Sequence, residues 1–178
     1  MRVVSLLLAF LVAGCSCPFH NVRCPFGHKV GLQHPEMTPE KKDPVPAVGA
    51  APASPWSVTT VEAAVPDKDG VKTPRSGAVK SFTGEVVDMS CYLQLGKHGA
   101  KHKECGQKCA RAGQPIGLLM PDGDLFLLMA EEHHPRRDGQ TGSLRDALIE
   151  HMADIVTVTG TATEVNGARA LFVSGFAK

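Results

Sequence analysis

The chain has 178 residues, a formal net charge of +1 and only 5% aromatic residues. A net charge so close to zero gives no overall attraction for nucleic acid, and the shortage of aromatic side chains leaves no platform on which bases could stack. The length is enough for one domain with a tail. Six cysteines in a chain of this size are typical of exported proteins, where they form disulfides, bind metal or carry lipid.

The first fifteen residues have the pattern of an export signal. Arg2 supplies a positive charge, residues 3–12 form a short apolar run, and small residues follow. The tetrapeptide Val12-Ala13-Gly14-Cys15 resembles the lipobox of bacterial lipoproteins, which implies cleavage before Cys15 and a diacylglycerol on its sulfur. The alternative is an ordinary cleaved signal in which the cysteine has no such role.

The lipobox resemblance also carries expectations about location. Ser16, directly after the cysteine, resembles a sorting signal for the outer membrane. We therefore expect residues 1–14 to be a lipoprotein signal peptide. The mature protein would be lipid-anchored in the bacterial cell envelope, at the outer membrane and facing the periplasm, with the lipid bilayer as a partner through Cys15.

Residues 15–80 are predicted to be a flexible stalk. Prolines recur between positions 35 and 80 among small and polar residues, and such a composition buries too little apolar surface to fold. Whether residues 57–65 dock as an edge strand is left open by the sequence. At the start of the stalk, Cys17, His20, Cys24 and His28 offer either a metal site or a Cys17–Cys24 disulfide, and we favour the disulfide in an oxidising compartment.

Residues 81–178 are predicted to form a mainly β domain. The predicted strands are 81–89, 117–120, 125–129, 155–164 and 168–176. Threonines alternate with apolar residues along 155–164, as in a half-buried strand, and Asn166-Gly167 is a strong hairpin turn. Ser143 with Asp146 three residues later predicts the start of a helix. This order of elements predicts a five-stranded OB-like Greek-key barrel, with a helical cysteine-rich insert between strands 1 and 2 and a helix between strands 3 and 4.

The insert carries the residues with the clearest chemistry. His102, Cys105 and Cys109 stand at positions i, i+3 and i+7, so on a helix they share one face. With Cys91 they would make a set of three thiolates and one imidazole, which favours copper or zinc. Asp88, at the end of the first strand, would orient the histidine. Further candidate ligands are His98, His133 and His134.

Two other interpretations of the cysteines stay open. In the first, Cys91 pairs with Cys105 or Cys109 in a disulfide, and the domain is a structural or adapter module without a ligand. In the second, Cys105 or Cys109 is an attacking thiolate in thiol–disulfide exchange, since nearby lysines would lower its pKa.

Two spaced motifs resemble a group of small exported bacterial proteins with OB-like domains. They are Gly84-x-Val86-x-Asp88-x-x-Cys91-Tyr92 and His102-x-x-Cys105-x-x-x-Cys109-Ala110-x-x-Gly113. The resemblance implies an OB-like fold and an envelope location, and it implies no activity.

Taken together, these patterns predict a membrane-anchored envelope lipoprotein that binds a thiophilic metal. We expect no enzymatic activity, because the sequence contains no Ser-His-Asp pattern, no paired catalytic carboxylates and no phosphate-binding glycine loop. Another envelope protein is a candidate partner, and nucleic acid is not.

Overall fold

The computed structural model describes residues 45–131 and 141–174, which form a mainly β domain. The strands are β1 (Ala47–Val48), β2 (Ala78–Asp88), β3 (Ile116–Leu119), β4 (Leu125–Ala130), β5 (Ile155–Val165) and β6 (Ala168–Val173). The helices are α1 (Val58–Ala63), α2 (Met89–Leu95), α3 (Lys103–Arg111) and α4 (Thr141–Glu150), and a 3₁₀ turn covers Ala100–His102.

Several predicted features lie outside the described residues. They are the signal peptide with Cys15, the Cys17/His20/Cys24/His28 doublet, and the candidate ligands His133 and His134. Within the described ranges, no helix has both the length and the apolar character that crossing a bilayer requires.

Five of the strands close into a barrel. Strand β2 pairs with β3 and β5, β4 pairs with β3 and β6, and pairing of β5 with β6 completes the ring. All of these pairings are antiparallel except β4 with β6. The closed five-stranded barrel is consistent with the predicted OB-like fold, and α4 lies between its third and fourth strands as expected.

The barrel core follows from the alternation seen in the strands. Val86, Leu118, Val156, Val158 and Leu171 have no exposed surface. Their polar neighbours in sequence lie on the other face, where Thr157 and Thr159 bond the hydroxyls of the adjacent strand. Three apolar residues at four-residue spacing cover the core: Leu144 and Leu148 on α4, and Met152 just after the helix end.

The hairpin between β5 and β6 confirms the predicted turn. Asn166 and Gly167 have φ values of 50° and 82°, which are the two consecutive positive values that a type I′ turn requires. Val165 and Ala168 on either side of the turn are directly paired. The turn therefore sets the register of the two strands that close the barrel.

The region predicted as a stalk departs from that expectation within residues 45–65. Strand β1 pairs in parallel with Thr157 and Val158 of β5. Strand β6 pairs with β5 further along the chain, from Gly160 onward. Val48 is 3% exposed and belongs to the barrel core. Residues 58–63, within the segment considered as an edge strand, form helix α1 instead, because Ser57 accepts a hydrogen bond from the Thr60 amide and caps it.

Polar and aromatic contacts also attach this segment to the barrel. The carboxylate of Glu131 accepts hydrogen bonds from the Ser57 amide at 2.8 Å and the Thr60 hydroxyl at 2.9 Å. The Trp56 ring meets Phe172 of β6 edge to face, with the ring centroids 5.2 Å apart. The folded unit therefore includes part of the chain that composition alone predicts to be unfolded.

Candidate metal centre

The first part of the candidate site is the corner where β2 turns into α2. Asp88 ends the strand and caps the helix: its Oδ1 accepts a hydrogen bond from the Ser90 amide at 3.0 Å. This capping requires the carboxylate to point back over the first turn of α2, where Cys91 lies. Helix α2 ends at Gly96, which has a φ of 66° and so can adopt the left-handed conformation that terminates it.

The second part of the site is helix α3, which is held against α4. Gly106 lies so close to Met152 that a Cβ at this position would come within 3.0 Å of the methionine side chain. Gln107 donates to the Ile149 carbonyl at 3.0 Å, and Arg145 donates to the carbonyls of Ala110 and Gln114 beyond the helix end. These contacts fix the position of the helix that carries Cys105 and Cys109.

Three cysteine sulfurs converge where α2 and α3 meet. The Sγ atoms of Cys91, Cys105 and Cys109 all lie within 4.8 Å of one another, and the three thiols are free. Cys105 is exposed, whereas Cys91 and Cys109 are half-buried. Sulfur atoms around a tetrahedral zinc ion lie about 3.8 Å apart, given Zn–S bonds of about 2.3 Å. Small side-chain movements would therefore bring all three to ligand distance.

A second group lies deeper and shares Cys91 with the first. One potential ligand atom from each of Asp88, Cys91 and His102 lies within 4.8 Å of the other two. Asp88 has no exposed surface and His102 is 9% exposed, yet Oδ2 of the one and Nε2 of the other have no hydrogen-bond partner. Leaving a buried polar atom unpaired costs about 1–3 kcal/mol, so two such atoms in residues of one group call for an explanation.

The residues predicted as metal ligands are thus close enough to hold a metal, but they are divided between two groups. His102 belongs with Asp88 and Cys91, and the other predicted ligands form the three-cysteine group. Asp88, predicted to orient the histidine, has a carboxylate oxygen within 4.8 Å of the Cys91 sulfur, so it could itself be a ligand.

No protein-family model, curated protein or solved structure matches this chain. Its function is therefore argued from the residues of the site.

His98, a further predicted ligand, belongs to neither group. Its Nδ1 lies 3.0 Å from Oε2 of Glu85, and the other carboxylate oxygen of Glu85 accepts a hydrogen bond from the Gly99 amide. Its ring also meets the buried Tyr92 ring edge to face, with centroids 5.9 Å apart. Glu85 was missed in the sequence analysis, although a charged residue directly before the apolar pair Val86-Val87 is a signal that could have identified it.

The surroundings of the thiols favour their protonated form. The neighbouring Asp88 carboxylate raises the pKa of Cys91 to about 12, and burial of the thiol adds to this effect. Burial raises the pKa of Cys109, and Asp88 adds to this effect. A raised pKa is the opposite of what an attacking thiolate needs, so the shift argues against Cys109 as the attacking thiol of the exchange interpretation.

The pKa shifts predict an order of thiol reactivity in the reduced, metal-free protein. Cys105 is expected to react first with iodoacetamide because it is exposed. Cys91 is expected to react slowly, since a pKa of about 12 leaves roughly a thousandth of it ionised at pH 9. Asp88→Asn keeps the capping oxygen and removes the charge, so it should lower the pKa of Cys91 and speed its alkylation.

Peptide mass spectrometry after timed alkylation checks this order. Asp122→Asn, which removes an exposed carboxylate from the β3–β4 turn, is the matched control and should leave the rates unchanged. Equal alkylation rates for Cys91 in the wild type and in Asp88→Asn would show that the carboxylate does not act on this thiol.

Proposed function

We propose that this protein binds a thiophilic metal ion in the bacterial cell envelope, and that Cys91, Cys105 and Cys109 hold copper(I). The observation that carries the proposal is the convergence of three sulfur atoms from two helices within 4.8 Å. Thiolates are soft ligands, and a group of three sulfurs without oxygen or nitrogen donors favours copper(I) over a borderline ion such as zinc.

A disulfide explains less of the arrangement. It would use two of the three sulfurs, and Cys105 and Cys109 lie one turn apart on the same helix. The pairing would therefore be Cys91 with one of them, and the third sulfur would have no role. Because all three sulfurs are close together, we rank this disulfide, called the staple below, as the second candidate. With the staple, the protein would be a structural or adapter domain without a ligand.

The exposure of Cys105 supports a role in metal delivery rather than a permanent structural metal site. A ligand that reaches solvent can be replaced by a ligand from another molecule, whereas closed structural sites bury all of their ligands. The donor or acceptor of the ion would be another envelope protein, consistent with the export signal in the sequence. We further propose that the domain is an OB-like Greek-key barrel and that it lies at the outer membrane, facing the periplasm.

Titration with copper(I) tests the proposal. In the full chain with Cys15, Cys17 and Cys24 replaced by serine, only the three site cysteines remain. We expect one copper(I) ion per chain, measured anaerobically by competition with a chromophoric copper(I) chelator. Changes to groups that merely support a metal ligand cost about 10–100-fold in affinity, so Cys105→Ser and Cys109→Ser should each cost at least that much.

Ser90→Ala, which lies beside Cys91 but removes no sulfur, is the control and should bind copper(I) as tightly as the parent chain. Counting free thiols separates the two candidates: the reduced site has three, and the staple has one. One free thiol among Cys91, Cys105 and Cys109, with no bound metal, in protein taken directly from the envelope would refute the copper site.

A further inference from the structure

The inner group has features that the proposed copper site does not use. Asp88 and His102 are at least nine-tenths buried, and each has a side-chain polar atom without a hydrogen-bond partner. One potential ligand atom of each residue lies within 4.8 Å of the other. Oδ1 of Asp88 caps α2, so the carboxylate is held in place by one oxygen while Oδ2 remains available. His102 is fixed by its position at the junction of the 3₁₀ turn and α3.

We propose that Asp88, Cys91 and His102 form a second metal site, selective for a borderline divalent ion of the zinc type. Oδ2, Sγ and Nε2 would be its three protein ligands. Oxygen, sulfur and nitrogen donors together suit zinc, whereas copper(I) favours the all-sulfur group. The inner site shares Cys91 with the copper site but does not depend on copper binding there.

The geometry meets the requirements of such an ion. Donors at about 2.0–2.3 Å from a tetrahedral ion lie roughly 3.3–3.8 Å apart, and one potential ligand atom from each of the three residues already lies within 4.8 Å of the other two. The Asp88 carboxylate supplies negative charge against a divalent cation.

Sharing Cys91 couples the two sites. A thiolate bound to one cation is a weaker donor to a second, and two cations held by one sulfur repel each other. Filling the outer group with copper(I) should therefore weaken binding of a divalent ion at the inner group, and the reverse effect must be equal.

Cobalt(II) is the probe for the inner site, because its thiolate charge-transfer absorption reports sulfur ligands only. The samples are the full chain with Cys15, Cys17 and Cys24 replaced by serine, and three variants made from it. His102→Gln should weaken cobalt(II) binding by about tenfold or more while leaving copper(I) affinity within about twofold. Asp88→Asn should weaken cobalt(II) binding to a similar extent without weakening copper(I) binding, because it lowers the pKa of Cys91, which also binds copper(I). The Cys105→Ser/Cys109→Ser variant should behave in the opposite way.

The absorption intensity supplies a second measure that does not depend on affinity. Cobalt(II) at the inner site has one thiolate ligand, Cys91. At saturation the Cys105→Ser/Cys109→Ser variant should therefore show the same charge-transfer absorption as the parent chain. Circular dichroism checks that each variant is folded. If His102→Gln does not fold, Asp88→Asn provides the cobalt(II) measurement in its place, because it retains the oxygen that caps α2.

Each result decides between the sites separately. Loss of the cobalt(II) absorption in the double cysteine variant, or its absence in the parent chain, would overturn the inner site. Unchanged copper(I) affinity in the double cysteine variant would overturn the proposed copper site and leave the inner site standing. Opposite losses of the two ions in the two kinds of variant would establish both.

Discussion

Removal of residues 45–76 is expected to lower the melting temperature of the barrel by more than about 10 °C. This segment contributes Val48 to the core, a β-pairing along the edge of β5 and the contact of Trp56 with Phe172. It also provides the two hydrogen bonds that the Glu131 carboxylate accepts from Ser57 and Thr60.

The size of the effect follows from these contacts. Burying one valine side chain contributes about 1.5–3 kcal/mol, and each hydrogen bond contributes about 0.5–1.5 kcal/mol. For a domain of this size, 1 kcal/mol corresponds to roughly 4–8 °C in the melting temperature. The valine and one hydrogen bond alone therefore account for a shift on the order of 10 °C.

Thermal unfolding of chains that begin at residue 45 and at residue 77 measures the difference. A matched pair of point variants tests the same idea without shortening the chain. Val48→Ala should be clearly destabilising, whereas Val58→Ala, at a side chain that is 72% exposed, should have little effect. Equal midpoints for the two chain lengths would mean that the segment rests on the barrel without stabilising it.

Replacement of Cys15 by alanine is expected to abolish membrane retention. The lipobox resemblance of residues 12–15 implies that acyl chains are attached at this cysteine, and several chains on one residue anchor a protein firmly where a single chain is marginal. Without the thiol there is no atom to form the thioether, so the effect should be complete rather than partial.

Metabolic labelling with a tagged fatty acid, followed by fractionation, measures the attachment. Cys17→Ala is the matched control, since it removes a nearby thiol outside the tetrapeptide and should keep both the label and the membrane location. Lipid labelling of Cys15→Ala at the wild-type level would remove the basis for the anchor and for the envelope location that depends on it.

The sequence was sufficient for those parts of the fold that depend on local pattern. Alternation along 155–164 and the Asn166-Gly167 turn predicted β5, β6 and their pairing, because a period of two and two positive φ values are both local properties. The candidate ligands were also recognisable from residue type and spacing. Composition, in contrast, was a poor guide to residues 45–65, since Val48 and Trp56 gain their burial from a barrel distant in sequence.

The division of the site into two groups depended on tertiary structure. A continuous helix would have placed His102 on the same face as Cys105 and Cys109. Instead, Gly99 has a φ of 76°, a 3₁₀ turn covers Ala100–His102, and α3 begins only at Lys103. The different winding of that turn removes His102 from the helical stripe and places it with Asp88 and Cys91. Residue type and spacing therefore determined which side chains can bind a metal, and the break before α3 decided which of them can bind the same ion.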